Sequence, residues 1–163
     1  MILDFEPLLS GEKKSLSFDY ELDGIGDEVG VIQNGKAHIS GTVTDQAGYI
    51  SLKMSARLPY LTDCARCAKE LSRELDIEYS CGVSPDKLSE ENLDYEELTD
   101  GKLDIDELAV RCFILELPMT ELCSEDCLGL CPECGKDLNE GPCDCKKPVD
   151  PRLQKIIDAI NGK

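Results

Sequence analysis

The stretch AHISGTVTDQAGYISLKMSARL, residues 37–58, reads with a period of two. Ala37, Ile39 and Val43 alternate with polar neighbours, and Ile50, Leu52, Met54, Ala56 and Leu58 do the same after a break. Alternation on this period places one apolar face on each of two half-buried strands. The break holds Asp45, Gln46, Ala47 and Gly48, turn-forming chemistry that makes a hairpin the simplest connection. Two strands joined this way run antiparallel.

The pattern extends on both sides. Leu16, Phe18, Tyr20 and Leu22 form an earlier strand, and Leu71, Leu75, Ile77, Tyr79, Cys81 and Val83 share one side of a later one. The first half is therefore expected to be an antiparallel sheet or partly closed barrel, with the pair Cys64 and Cys67 between two of its strands. Helical spacing follows at Ile105, Leu108, Ala109, Cys112 and Leu115, with Asp104 and Glu107 arranged as a capping box. This predicts a helix over 105–116, closed by Pro118. Asp150 and Pro151 repeat a start signal ahead of Leu153, Ile156, Ile157 and Ile160, predicting a short C-terminal helix. The expected class is α+β, in three segments packed as one globular unit: a β domain over 1–83, an acidic loop over 84–104, and a helix, cysteine cluster and second helix over 105–163.

Charge follows these segments. Residues 1–73 hold 11 acids and 8 bases, 74–126 hold 17 and 3, and 127–163 hold 6 and 6, for a total of -17 over 163 residues. A surface so acidic repels a phosphate backbone on average, which excludes a generally basic nucleic-acid binder. No uncharged apolar run approaches the roughly 18 residues that span a bilayer. The start MILDFEPLL carries Asp4 and Glu6 inside its apolar stretch and no basic head, unlike a secretory signal, so the expected location is cytoplasmic.

Ten cysteines carry the chemistry, none of them before residue 64. A disulfide framework belongs mainly to small exported domains, so thiolate metal binding is the favoured explanation. Cys64 and Cys67, Cys123 and Cys127, Cys131 and Cys134, and Cys143 and Cys145 form four close pairs, enough for two ions with four sulfurs each. The short interval between Cys134 and Cys143 lets Cys131, Cys134, Cys143 and Cys145 close a local site at little entropic cost. By elimination Cys64 and Cys67 meet Cys123 and Cys127, which would tie the sheet to the C-terminal module; a partition with Cys127 in the local site is the alternative. Structural zinc, as one or two ions, is the expected metal, and an iron–sulfur cluster is second. Cys81 and Cys112 fall on apolar faces and read as small buried hydrophobes. His38, the only histidine, reads as an ordinary strand residue. No phosphate-cradling loop, nucleophile elbow or H-E-x-x-H helix is present, so no enzyme is expected and no catalytic residue is assigned. Thiol redox chemistry is the enzymatic alternative.

The string CSEDCLGLCPECGKDLN (123–139), followed by Cys143, Cys145 and Asp150-Pro151-Arg152, resembles the YceD family of large ribosomal RNA subunit accumulation proteins. Cys64-Ala65-Arg66-Cys67 and Leu117-Pro118-Met119 look like its upstream signatures. The resemblance implies a cytoplasmic bacterial or organellar factor, needed for normal amounts of large-subunit ribosomal RNA and acting in ribosome biogenesis or RNA processing; no membrane and no small-molecule substrate are expected. A basic ribosomal or RNA-processing protein is the partner expected on charge grounds. Local RNA contact is the alternative, through Arg57, Arg66, Lys69 and Arg73 near the first knuckle or Lys136, Lys146, Lys147, Arg152 and Lys155 near the second.

Overall fold

The structure is a computed structural model that describes residues 1–85 and 95–145. The chain divides into two compact units. The first comprises Met1–Thr62 and Glu70–Glu121, and the second Asp63–Lys69 with Leu122–Lys163.

In the first unit the elements run β1 (Ile2–Asp4), α1 (Glu6–Leu9), β2 (Ser15–Leu22), α2 (Ile25–Val29), β3 (Ile32–Gln33), β4 (Ala37–Gln46), β5 (Tyr49–Asp63), β6 (Glu70–Ser84), β7 (Tyr95–Glu97), β8 (Lys102–Asp104) and α3 (Ile105–Glu116), with β5 running one residue past the unit boundary. A six-stranded sheet has the order β2-β4-β5-β6-β7, with β3 beside β5. It is an open half-barrel path with β2 at one end. The expected hairpin joins β4 to β5, with Gln46 opposite Tyr49. Its turn residues Ala47 and Gly48 both take positive φ, 55° and 88°. Such a turn matches the right-handed twist of the strands, and Gly48 adopts it without the steric cost Ala47 bears.

One sheet face is apolar because alternate side chains share a face. Ile39, Val43, Leu52 and Leu58 are wholly buried there, with Phe5, Ile105, Leu108 and Phe113 in the same core. Helix α3 supplies Ile105, Leu108, Ala109, Cys112 and Phe113 to it. The Asp104 carboxylate accepts hydrogen bonds from the N–H groups of Asp106 (3.0 Å) and Glu107 (3.5 Å), the cap read from sequence. Leu117 is extended, so the helix stops before Pro118.

The two compact units are bounded differently from the expected segments 1–83, 84–104 and 105–163. Helix α3 belongs with the sheet because its apolar stripe is buried in the sheet core. The first cysteine pair falls in the second unit, where its sulfurs face those of Cys123 and Cys127. The acidic segment is not all loop: β7 pairs parallel to β6 through Gly82 and Tyr95, and β8 pairs antiparallel to β1. The sheet is therefore antiparallel in its main strands but carries one parallel strand. The expected C-terminal helix lies outside the described residues.

Candidate metal centre

The second unit is built on two knuckles with the same backbone pattern. In the first, Cys64 N–H donates to Lys69 O and Ala68 N–H to Cys64 O, both at 2.8 Å. In the second, Cys131 N–H donates to Lys136 O and Gly135 N–H to Cys131 O, again both at 2.8 Å. The residue after the second cysteine takes positive φ in each, 56° at Ala68 and 71° at Gly135. This curl turns the two sulfurs of each Cys-x-x-Cys, and the N–H groups between them, toward one point.

The remaining cysteines complete two groups of four. Cys64, Cys67, Cys123 and Cys127 have their sulfurs within 4.8 Å of one another, and so do Cys131, Cys134, Cys143 and Cys145. This is the grouping that spacing suggested. All ten cysteines are free thiols, and two stand apart from both groups: Cys112 is buried in the hydrophobic core of the first unit and Cys81, half-buried, packs against it. Burial pushes the Cys81 thiol up to about 11.

In the first group, Cys64 Sγ lies 3.8 Å from Cys127 Sγ and Cys67 Sγ 3.6 Å from Cys123 Sγ. Three of its four residues are buried, while Cys134 in the second group is exposed. Hydrogen bonds polarise the sulfurs. Cys123 N–H donates to Cys64 Sγ at 3.4 Å, and such backbone donation draws the Cys64 thiol down to about 6. The Asn139 amide donates to Cys127 Sγ at 3.4 Å and lowers that thiol too. Backbone N–H of Cys134 lowers Cys131 to about 7. Their neighbours move the other way: Cys123 rises to about 12 through its bond with Cys127, and Cys145 to about 12 through Cys134. Thiols so close cannot all ionise against one another, whereas a dication at the centre favours every thiolate at once. Four converging sulfurs with N–H donors behind them suit a closed tetrahedral metal site. Either group could therefore hold a metal ion.

Two supporting residues were not singled out for these roles in the sequence. Arg66, read as a candidate RNA contact, donates from Nη1 to Cys127 O (2.8 Å) and Glu125 O (3.2 Å), and its carbonyl accepts from Leu130 N–H at 3.0 Å. Gly129 passes so close that a Cβ there would meet Arg66 O at 2.9 Å, and its φ of 75° favours glycine independently. Asn139, between Cys134 and Cys143, accepts from Leu128 N–H at 2.8 Å through Oδ1 while its amide holds Cys127. One side chain from the loop of the second group thus supports the first.

Three other basic candidates also have internal partners. Arg57 pairs with Asp76 at 2.6 Å and Glu74 at 3.4 Å, Arg73 with Glu121 at 3.3 Å, and Lys136 Nζ donates to Pro142 O at 2.9 Å. Lys69 lends its carbonyl to the knuckle, and Lys146, Lys147, Arg152 and Lys155 lie outside the described residues. His38 is a β4 residue 3.1 Å from the Asp19 carboxylate. No helix among the described residues is long and apolar enough to cross a membrane.

Comparison with known proteins places this site in a family. The chain is similar to an uncharacterized protein of Mycobacterium tuberculosis and to one of Mycobacterium bovis, each 28% identical over 106 residues, covering 63% of this chain and 51% of theirs. A Mycobacterium leprae protein is 26% identical over 106 residues, 63% of this chain and 49% of its own. The chain thus spans about half the length of the curated relatives it matches. No solved structure matches. The family described as "Large ribosomal RNA subunit accumulation protein YceD" matches residues 52–157, a span that contains both tetrathiol groups, Arg66 and Asn139. The chain belongs to the YceD family.

Proposed function

We propose that this chain is a non-catalytic, zinc-binding factor of ribosome biogenesis, supporting accumulation or processing of large-subunit ribosomal RNA through a basic protein partner. The observation that carries the reading is the pair of tetrathiol groups inside the span matched by a family described by large-subunit ribosomal RNA accumulation. Zinc suits four thiolates with no open position, and it would offset two of their four negative charges while fixing both knuckles. The fold, not a reaction, is what such an ion serves.

A groove of about 860 Å³ on the sheet is lined by Ser17, Ser40, Thr42, Ser55 and Ser80 with Asp19, Lys53 and Glu78, and His38 stands beside it, 3.1 Å from Asp19. Hydroxyls with charges of both signs suit a polar binding surface. Charge supports a protein partner over naked RNA. Phosphate contacts gain affinity by releasing counterions from basic groups, and Arg57, Arg66, Arg73 and Lys136 are engaged within the fold.

Depletion followed by sedimentation of ribosomal particles tests the reading. It should lower large-subunit ribosomal RNA and mature large subunits, with rescue by the wild-type chain. Normal profiles at several growth temperatures would overturn it.

A further inference from the structure

Strand β2 ends the sheet, and among the described residues its only strand partner is β4. The ladder fixes which of its backbone groups are free. Asp45 N–H donates to Lys14 O, and the register continues Ser15 opposite Thr44, so Lys14 and Asp45 are a hydrogen-bonded pair. Antiparallel pairs alternate between bonded and non-bonded. Leu16, Phe18, Tyr20 and Leu22 therefore bond to β4, while Ser15, Ser17, Asp19 and Glu21 turn their N–H and C=O groups to the outer edge. The same parity makes Gln46 and Tyr49 the bonded pair that closes the β4-β5 hairpin, as a two-residue turn requires.

Among the described residues this edge lacks the usual protection. Proteins commonly guard free edges with lysine, proline, a bulge or a very short strand. Strand β2 is eight residues long, contains neither lysine nor proline, and pairs with β4 residue for residue without a bulge. Its core-facing side chains leave an incomplete apolar shelf, since Phe18 is buried but Leu16, Tyr20 and Leu22 are only partly so. On the other face Asp19 and Glu21 are exposed, Asp19 beside His38 at 3.1 Å and Glu21 beside Lys36 at 3.0 Å, surface pairs that an incoming cation can displace. From Ser15 through Glu28 the chain has five acids, Asp19, Glu21, Asp23, Asp27 and Glu28, and no lysine or arginine.

We infer that the outer edge of β2 is a docking edge that receives an extended basic segment of a partner protein as an added strand. The inference rests on the protein-partner reading above and gives that partner a place and a chemistry. Main-chain bonds to Ser15, Ser17, Asp19 and Glu21 supply the pairing. Alternate apolar side chains of the incoming segment cover Leu16, Tyr20 and Leu22, and the intervening lysines or arginines face Asp19 and Glu21. A second copy of this chain is the poorer occupant, because an antiparallel β2 pair would bring the Asp19 and Glu21 carboxylates of both copies together.

The test uses the full chain and two synthetic peptides of one composition, one alternating lysine with valine and one with the lysines and valines in separate blocks. Titration should show the alternating peptide binding at least about tenfold more tightly, with backbone amide protection confined to Ser15, Ser17, Asp19 and Glu21. Ser17→Pro removes an outward donor without touching the β4 ladder, and Asp19→Lys with Glu21→Lys reverses the charge; each should abolish the preference while thermal unfolding of the sheet stays near wild type. Equal binding of both peptides, protection elsewhere, unchanged binding by Ser17→Pro, or a β2-mediated dimer by sedimentation would overturn the inference. These readings come from purified protein, so their failure leaves the depletion test of the proposed function standing.

Discussion

Replacing Asn139 by alanine isolates the support that the second cysteine loop gives to the first cysteine group. The side chain makes two bonds into the Cys127 turn, accepting from Leu128 N–H at 2.8 Å and donating to Cys127 Sγ at 3.4 Å. Leu128 is exposed, so water replaces the first bond at little cost. The second has an ionised sulfur as acceptor once a metal is bound, and bonds to charged groups contribute about 1.5–3 kcal/mol. At about 1.4 kcal/mol per decade this is roughly a 10- to 100-fold loss of zinc affinity at one group, the range usual for residues behind metal ligands. Stepwise competition with a chelator, read by native mass spectrometry, should show one of two release steps weakened and the other close to wild type. Asn139→Asp keeps the acceptor for Leu128 but replaces the donor with a carboxylate beside the thiolate, so it should weaken that step at least as much as alanine. Recovery of wild-type affinity by Asn139→Asp, or no change in Asn139→Ala, would refute the reasoning.

Other consequences follow from separate parts of the fold. Ala68→Gly should stabilise the first knuckle by about 1 kcal/mol, since alanine there holds a φ of 56° that glycine adopts freely; chelator resistance of the first group measures it. Phe113→Ala, at a fully buried α3 position, should destabilise the first unit by about 3–5 kcal/mol in urea unfolding while leaving metal content unchanged. Alkali should weaken the first unit. Burial and the hydrogen bond to Glu121 raise Tyr60 to about 12, and Tyr20 and Tyr79 are raised as well. Their neutral forms are favoured in the folded state, so their contribution is whole below the ordinary tyrosine value of about 10 and is lost as pH rises above it. For Tyr60 that window ends near 12, and Tyr60→Phe should flatten the decline in thermal midpoint across it.

What the sequence made legible was whatever one local pattern determines. Alternation in 37–58 located both hairpin strands, and Asp104 marked the first turn of α3 because a cap acts within three residues. The spacing of the cysteine pairs suggested the two groups, since a short loop closes most easily on itself. Elements set by distant contacts were harder to read. Helix α2 is only five residues between Gly24 and Gly30, and its buried Ile25 and Val29 cannot establish a helical period alone. Strand β7 lies in a run of acids whose composition suggests solvent, yet Glu96 is drawn inward by Tyr79 at 2.9 Å and Arg111 at 2.7 Å. Arg66 illustrates the same limit at the site. A basic residue inside a knuckle suggests an outside anion until its guanidinium is found bonded to the carbonyls of Glu125 and Cys127. Asn139 carried no signal beyond its place in the loop, because its role depends on the Cys127 turn folding against it.

The central claim is that the eight clustered cysteines form two structural zinc sites. Native mass spectrometry with elemental analysis, on protein purified without added metal and under reducing conditions, tests it most directly. The account predicts two zinc ions per chain, with all eight cysteines protected from alkylation until the zinc is removed. Metal-free protein with alkylatable thiols, disulfide-linked pairs within the two groups, or iron with inorganic sulfide in place of zinc would contradict it.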